Sequence, residues 1–283
     1  MALNTCLTVG LVEELQQLAS LGKSVAPIVQ ALQSASLPGI MEYGSFRSSV
    51  PSVPELPPAV WSSSVGKALQ LVRSKMELRT IGTQREPPRN MTPCEHEFFV
   101  LEGDDPQESQ PWKEYLLRFR QSSVLVGFEM KKATGLAAAL HEMADNAVNH
   151  AEADDGILVG YHVVQGVAVS CIVDAGIGVL ASLLKCPSYG HLKTHREAIR
   201  WALKKGVTRF GPGQGGNGFD WVFKSLTASF GTLRFRSGEG CVTMDGRDLE
   251  SDRGEEAYVL PRPGFQVTIC CRLSGSPDSV PLV

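Results

Sequence analysis

Apolar residues recur at helical spacing near the start of this chain. Leu11, Leu15, Leu18 and Leu21, then Ile28 and Leu32, predict a helix within Leu11–Leu37. The pattern then breaks. Pro38, Pro51, Pro54, Pro57 and Pro58 are interleaved with serines from Ser34 to Ser64, which reads as a linker or irregular arm. A short helix is expected over Val65–Met76, followed by an irregular charged stretch to Glu95.

From about Cys94 the periodicities strengthen. Glu97–Leu101 has strand character, and Gln110–Gln121 is an amphipathic helix with Trp112, Tyr115, Leu116 and Phe119 inward. Ala133–Ala151 predicts a further helix. Gly156–Val164 and Val167–Val173 are Val/Ile-rich strands joined by a hairpin turn at Gln165-Gly166. After a long loop, helices are expected over His195–Lys205 and Phe219–Ser229. Strands follow over Thr232–Arg236, Cys241–Asp245 and Gln266–Leu273. This order predicts an α+β fold: a two-layer sandwich with helices on one face of a mixed, mostly antiparallel sheet. A helical and irregular N-terminal segment (1–93) precedes the main domain (94–275), and a short tail (276–283) follows. The N-terminal helix suits a dimerisation arm, a partner-docking element or plain packing, and packing is the expectation.

The 283 residues suffice for one large domain or two modest ones, and 43% hydrophobic residues allow a substantial core. A net charge of -3 leaves no electrostatic footprint for nucleic acid or an anionic membrane. No apolar run approaches the roughly 18 residues of a membrane helix, and the start lacks a basic signal-peptide region. Seven cysteines show no C-x-x-C spacing. Cys171, Cys270 and Cys271 lie in strand-like runs, as expected of buried, reduced thiols in a cytoplasmic protein.

Three segments carry candidate chemistry: HEMADNAVNH (His141–His150), VDAGIG (Val173–Gly178) and GQGGNGF (Gly213–Phe219). Glu142 and Asn146, four residues apart, project from one helix face. An Asn amide oxygen is a hard ligand suited to Mg²⁺ that also carries phosphate oxygens. A Glu one turn away is placed to take a proton from the nucleophile attacking a γ-phosphate. His150 lies another turn along. Taken alone, the same spacing is ordinary on a solvated helix face. Asp174 closes a strand just before Gly176 and Gly178, where a carboxylate can accept from adenine's exocyclic amine; Asp and Gly are also common turn residues. Gly211, Gly213, Gly215, Gly216 and Gly218 crowd a predicted helix start, which suits an anion site as well as a hinge loop. Neither a P-loop nor a dinucleotide fingerprint is present.

In this order the segments resemble the N, G1 and G2 boxes of the GHKL ATPase superfamily. That superfamily includes gyrase B subunits, mismatch-repair ATPases, heat-shock chaperone ATPases, histidine kinases and bacterial anti-sigma serine kinases. Glu142-x-x-x-Asn146-Ala147-x-x-His150 and Gly216-Asn217-Gly218-Phe219 are especially similar to the anti-sigma kinase pattern. The similarity spans about residues 110–275. It implies Mg²⁺ on Asn146, Glu142 as general base and Asp174 as adenine reader. It further implies Gly176 and Gly178 beside the base, Gly213, Gly215, Gly216 and Gly218 around the phosphates, and a lid over Val179–Pro212. Asn149 stands where histidine kinases are often basic, and Phe265 replaces the usual Thr after Gly264. Arg209 is a candidate phosphate contact, though loop arginines are more often simply solvated. No phosphoacceptor helix pair and no sensor or receiver domain is recognisable.

The resemblance therefore implies a cytoplasmic ATP-binding regulatory protein with a protein partner and no nucleic-acid or membrane partner. It would act as an ATPase or protein kinase, and a homodimer is expected by analogy alone. The alternative is a non-catalytic interaction module in which nucleotide closes a lid to capture or release a partner.

Overall fold

The structure is a computed structural model, and it describes residues 6–50, 52–62, 95–102, 105–153, 156–204, 231–245, 255–258, 261–274 and 276. Its centre is a seven-stranded sheet. In chain order the strands are β3 (His96–Leu101), β4 (Ile157–Val164), β5 (Val167–Asp174), β6 (Gly231–Ser237), β7 (Gly240–Asp245), β8 (Glu255–Tyr258) and β9 (Phe265–Arg272). They lie in the order β3-β4-β5-β9-β6-β7-β8 and pair antiparallel throughout. The β4–β5 turn uses positive φ at Gln165 (46°) and Gly166 (76°), which matches the right-handed twist of the flanking strands.

The expected helical layer is present. Helices α5 (Gln110–Leu125) and α6 (Met130–His150) cover one face of the sheet. Ser109 caps α5 by accepting from the Trp112 N–H, and Pro111 stands in its first turn. Trp112, Tyr115, Phe119, Leu140 and Met143 meet Val159, Tyr161, Ile172, Phe235 and Ile269 of the sheet. Each fully buried side chain of this size contributes about 2–3 kcal/mol. Arg118 of α5 forks onto Glu97 of β3 at 2.7 and 2.9 Å, and the Tyr161 hydroxyl donates to the same carboxylate.

The N-terminal segment differs from its expected form. The single helix expected over Leu11–Leu37 is α1 (Val9–Ser20), α2 (Ala26–Gln30) and a two-residue strand β2 (Ser34–Ala35), paired in parallel with β1 (Cys6–Leu7). Gly22, at φ 69°, ends the first helix at Leu21. The supposed linker contains α3 (Leu37–Ser49) and α4 (Pro58–Ser62). Pro38 lies in the first turn of α3, where its missing N–H costs nothing, and Ser36 caps that turn by accepting from the Gly39 N–H. Proline and serine here start a helix rather than break one.

These elements pack on the second face of the sheet. Leu7, Leu15, Leu37, Ile40, Tyr43 and Phe46 meet Phe98, Val169, Cys171 and Cys270. Packing is thus the observed state of the described residues 6–50 and 52–62. The expected helices over Val65–Met76 and Phe219–Ser229 lie outside the described residues, as does the boundary near residue 93.

The two layers are also joined by buried charge. The strand β6 reads Leu233-Arg234-Phe235-Arg236, so its phenylalanine and leucine face α5 and α6 while both arginines face the N-terminal layer. Glu42 of α3, fully buried, accepts from Arg234 (3.4 Å), Arg236 and Arg262 (2.7 Å). Arg262 also donates to the Glu42 backbone carbonyl, Arg234 reaches Glu13, and Arg236 reaches Gln16 of α1. Burial alone raises the pKa of Glu42, but Arg262, Arg234 and Arg236 together outweigh it and hold the carboxyl below its ordinary value.

Candidate functional site

Helix α6 carries four of the candidate residues. Its buried stripe is Leu136, Leu140, Met143, Ala144 and Ala147. Glu142, Asn146 and His150 are half-buried along one flank of that stripe, and Asn149 is exposed beyond them. The neighbouring His141 has a structural partner: its Nδ1 accepts from Trp112 Nε1 at 3.0 Å. The Asn146 Nδ2 has no hydrogen-bond partner among the described residues. The amide nitrogen of this side chain is thus not committed to the fold.

Asp174 ends β5 on the α6 side of the sheet and is 4% exposed. Its Oδ1 accepts from the Gly176 N–H at 2.9 Å, which folds the chain into a tight turn. That turn docks on the end of α6. The Ile177 N–H donates to the Ala151 carbonyl at 2.8 Å, and a Cβ on Gly176 would fall 2.0 Å from that same oxygen. Only glycine permits so close an approach. Gly178, at φ 74°, lies between Ser237 Oγ and the Gly264 carbonyl. Ser237 accepts from the Val179 N–H at 2.9 Å and donates to Gly264 at 3.0 Å.

The first two segments therefore meet: the Asp-Ala-Gly-Ile-Gly turn rests against the C-terminal end of the Glu142–Asn146 helix. At the helical rise of about 1.5 Å per residue, Asn146 stands about 7.5 Å along the axis from Ala151 and Glu142 about 13.5 Å. The third segment, with Gly213, Gly215, Gly216 and Gly218, lies outside the described residues, and so does Arg209.

The supposed lid is described up to residue 204. In place of the long loop expected before His195 stand α7 (Gly178–Leu184) and a 3-10 turn (Pro187–Tyr189), and the helix expected over His195–Lys205 is present as α8 (His195–Ala202). A small core of Leu183, Tyr189, Leu192 and Ala198 holds these together. A capping box of Thr194 and Glu197 starts α8, which rests on β6 and β7. Seven helical residues were too few to stand out by periodicity.

Sequence reasoning missed Ser237, Arg236, Arg262 and Gln266. With Asp174 and Gly264 they line a cavity of about 10 Å³, room for about one water molecule. The Gln266 amide, 2% exposed, has no hydrogen-bond partner among the described residues. The one available signal was the alternation Leu-Arg-Phe-Arg in β6, which places cations on a buried strand face.

Burial pushes the Asp174 carboxyl up from 3.8 to about 6, against the opposing pull of the Gly176 and Phe265 backbone N–H groups. Its folded pKa lies above its unfolded one, so the folded chain holds the proton longer. Its contribution to stability is greatest below about pH 4, declines as pH rises to about 6, and stays low above that. Two units correspond to about 3 kcal/mol. The Asp174→Asn variant should therefore gain stability over the natural chain between pH 4 and 6.5. Urea unfolding of both chains across that range tests this, and a constant difference would refute the assignment.

No protein-family model matches the chain, and no curated protein matches it significantly.

Proposed function

We propose that this chain is an ATP-binding regulatory protein of the histidine-kinase-like ATPase type. In this reading it binds Mg-ATP along α6 and hydrolyses it, or transfers its γ-phosphate to a protein partner, in the cytoplasm. The observation that carries the reading is the docking of the Asp174 turn on the end of the Glu142–Asn146 helix. A buried carboxylate lies at one end, an amide whose nitrogen is unpartnered among the described residues one to two turns along, and a second carboxylate one turn further. That order and span suit an extended nucleoside triphosphate, with its base at Asp174 and its γ-phosphate near Glu142.

Each residue has a physical role. Asp174, raised in pKa by burial, gains from a neutral N–H donor such as an exocyclic amine, which stabilises its charged form. A guanine would present a carbonyl there and repel it. Gly176 and Gly178 let the turn that presents Asp174 pack against Ala151, Ser237 and Gly264, which fixes the carboxylate in place. Asn146 fits a Mg²⁺ site, since its amide oxygen is a hard ligand of the kind Mg²⁺ takes beside phosphate oxygens and waters, and its amide nitrogen has no partner among the described residues. When bound, the ion supplies charge neutralisation at the phosphates. Glu142 accepts the proton of the attacking water or hydroxyl. Among the described residues no helix is long and apolar enough to cross a membrane.

Calorimetric titration of the full chain with ATP and ADP, with and without Mg²⁺, tests the reading. Saturable, Mg²⁺-dependent ATP binding is expected. Asn146→Ala should lose more than about tenfold in Mg-ATP affinity, near the cost of one charge-assisted contact. Failure of the natural chain to bind either nucleotide would overturn the reading, and an Asn146→Ala variant with unchanged Mg-ATP affinity would overturn the metal assignment.

A further inference from the structure

We infer that the edge of the sheet carries a binding site for a divalent transition-metal ion of the zinc class, formed by Glu95, His96 and His162. His96 of the edge strand β3 stands directly opposite His162 of β4. The Val163 N–H donates to the Glu95 carbonyl at 2.7 Å, so Glu95 and Val163 form a hydrogen-bonded pair. The next pair along, His96 and His162, is then a non-hydrogen-bonded one, in which side chains on the same face come closest. Their rings stand 5.8 Å apart between centroids, nearly perpendicular. The Glu95 carboxylate reaches His162 Nε2 at 3.2 Å.

The donor atoms of the three side chains all lie within 4.8 Å of one another. A tetrahedral zinc ion with bonds near 2.0–2.1 Å holds neighbouring donors about 3.3 Å apart. Small rotations about the side-chain torsions close that difference. Both imidazoles are half-buried on fixed, paired strands, while Glu95 is exposed enough to swing. Two imidazoles and one carboxylate favour zinc, cobalt or nickel over magnesium or calcium, whose preference is for oxygen alone. Three protein ligands leave the fourth position to water. Bound there, the ion would clamp the edge strand to β4 at the residue where the chain enters the sheet. None of these residues belongs to the proposed nucleotide site.

The test uses the full chain, free of nucleotide, titrated with Zn²⁺ by calorimetry and with Co²⁺ by visible absorption. One saturable equivalent is expected, with tetrahedral cobalt bands and a rise in Tm on zinc addition. His96→Ala and His162→Ala should each lose more than about tenfold in affinity, since losing even an outer contact to a ligand costs that much. Glu95→Gln, an exposed and nearly isosteric change, should weaken binding without altering the fold. Cys6 and Cys186 are half-buried free thiols, so an intense near-ultraviolet thiolate-to-cobalt band would assign the ion to cysteine and overturn the proposal. Zinc affinity unchanged in the double His96→Ala, His162→Ala variant, or no saturable binding, would overturn it equally.

Discussion

Replacing Glu142 with alanine is expected to lower ATP turnover by about 10²- to 10⁴-fold while leaving ATP affinity nearly unchanged. The prediction follows from position. Glu142 is half-buried on the flank of α6, one turn from Asn146 and about 13.5 Å along the axis from the turn that holds Asp174. In the proposed reading it is therefore too far from the base to contribute to adenine recognition. Near the γ-phosphate, a carboxylate repels the bound nucleotide slightly and is useful chiefly when a proton leaves the nucleophile. Its removal should thus reduce kcat, not affinity. Steady-state hydrolysis or phosphotransfer beside calorimetric Kd values separates the two. Equal loss of binding and turnover would remove Glu142 from the role of base. ATP binding without measurable turnover in the natural chain would favour the nucleotide-gated interaction module.

Glu42→Ala is expected to destabilise the folded chain by about 3–5 kcal/mol. Arg234, Arg236 and Arg262 all pair with Glu42, and all three guanidinium groups are buried. Without it, Arg234 keeps Glu13, while Arg236 and Arg262 lose the buried carboxylate they share. The loss should concentrate in the contact between the N-terminal layer and the sheet. Urea unfolding measures the total, and limited proteolysis within residues 6–62 reports whether that layer lifts first. A change below about 1 kcal/mol would mean that water or local rearrangement satisfies the cations. The pH dependence carries the opposite sign to that of Asp174. The folded pKa of Glu42 is depressed, so its contribution is fully present above its ordinary 4.5 and is lost as pH falls through the lower folded value.

Where period and chain-local chemistry coincide, the elements were legible. The strand pair β4–β5 and its Gln165-Gly166 turn, the helices α5 and α6, and β6, β7 and β9 lie within a few residues of their expected bounds. The N-terminal half was misread because proline density marks both linkers and helix starts. Only the Ser36 cap and the burial of Leu37, Ile40 and Tyr43 against the sheet decide between them. The candidate site divides in the same way. Glu142 and Asn146 share a face by helical spacing alone, and Asp174 stands at a strand end by pattern alone.

The amino-acid sequence determined which faces of the local elements the candidate residues occupy, because 3.6- and 2-residue periods are properties of the backbone. It did not determine what each face meets. That Gly176 touches Ala151, that His96 stands across from His162, and that Glu42 neutralises arginines about 190–220 positions away are matters of register and layer packing. Such contacts join residues far apart in the chain and leave no local period to read. They form only when the sheet closes between its two helical layers, and the tertiary structure alone decided them.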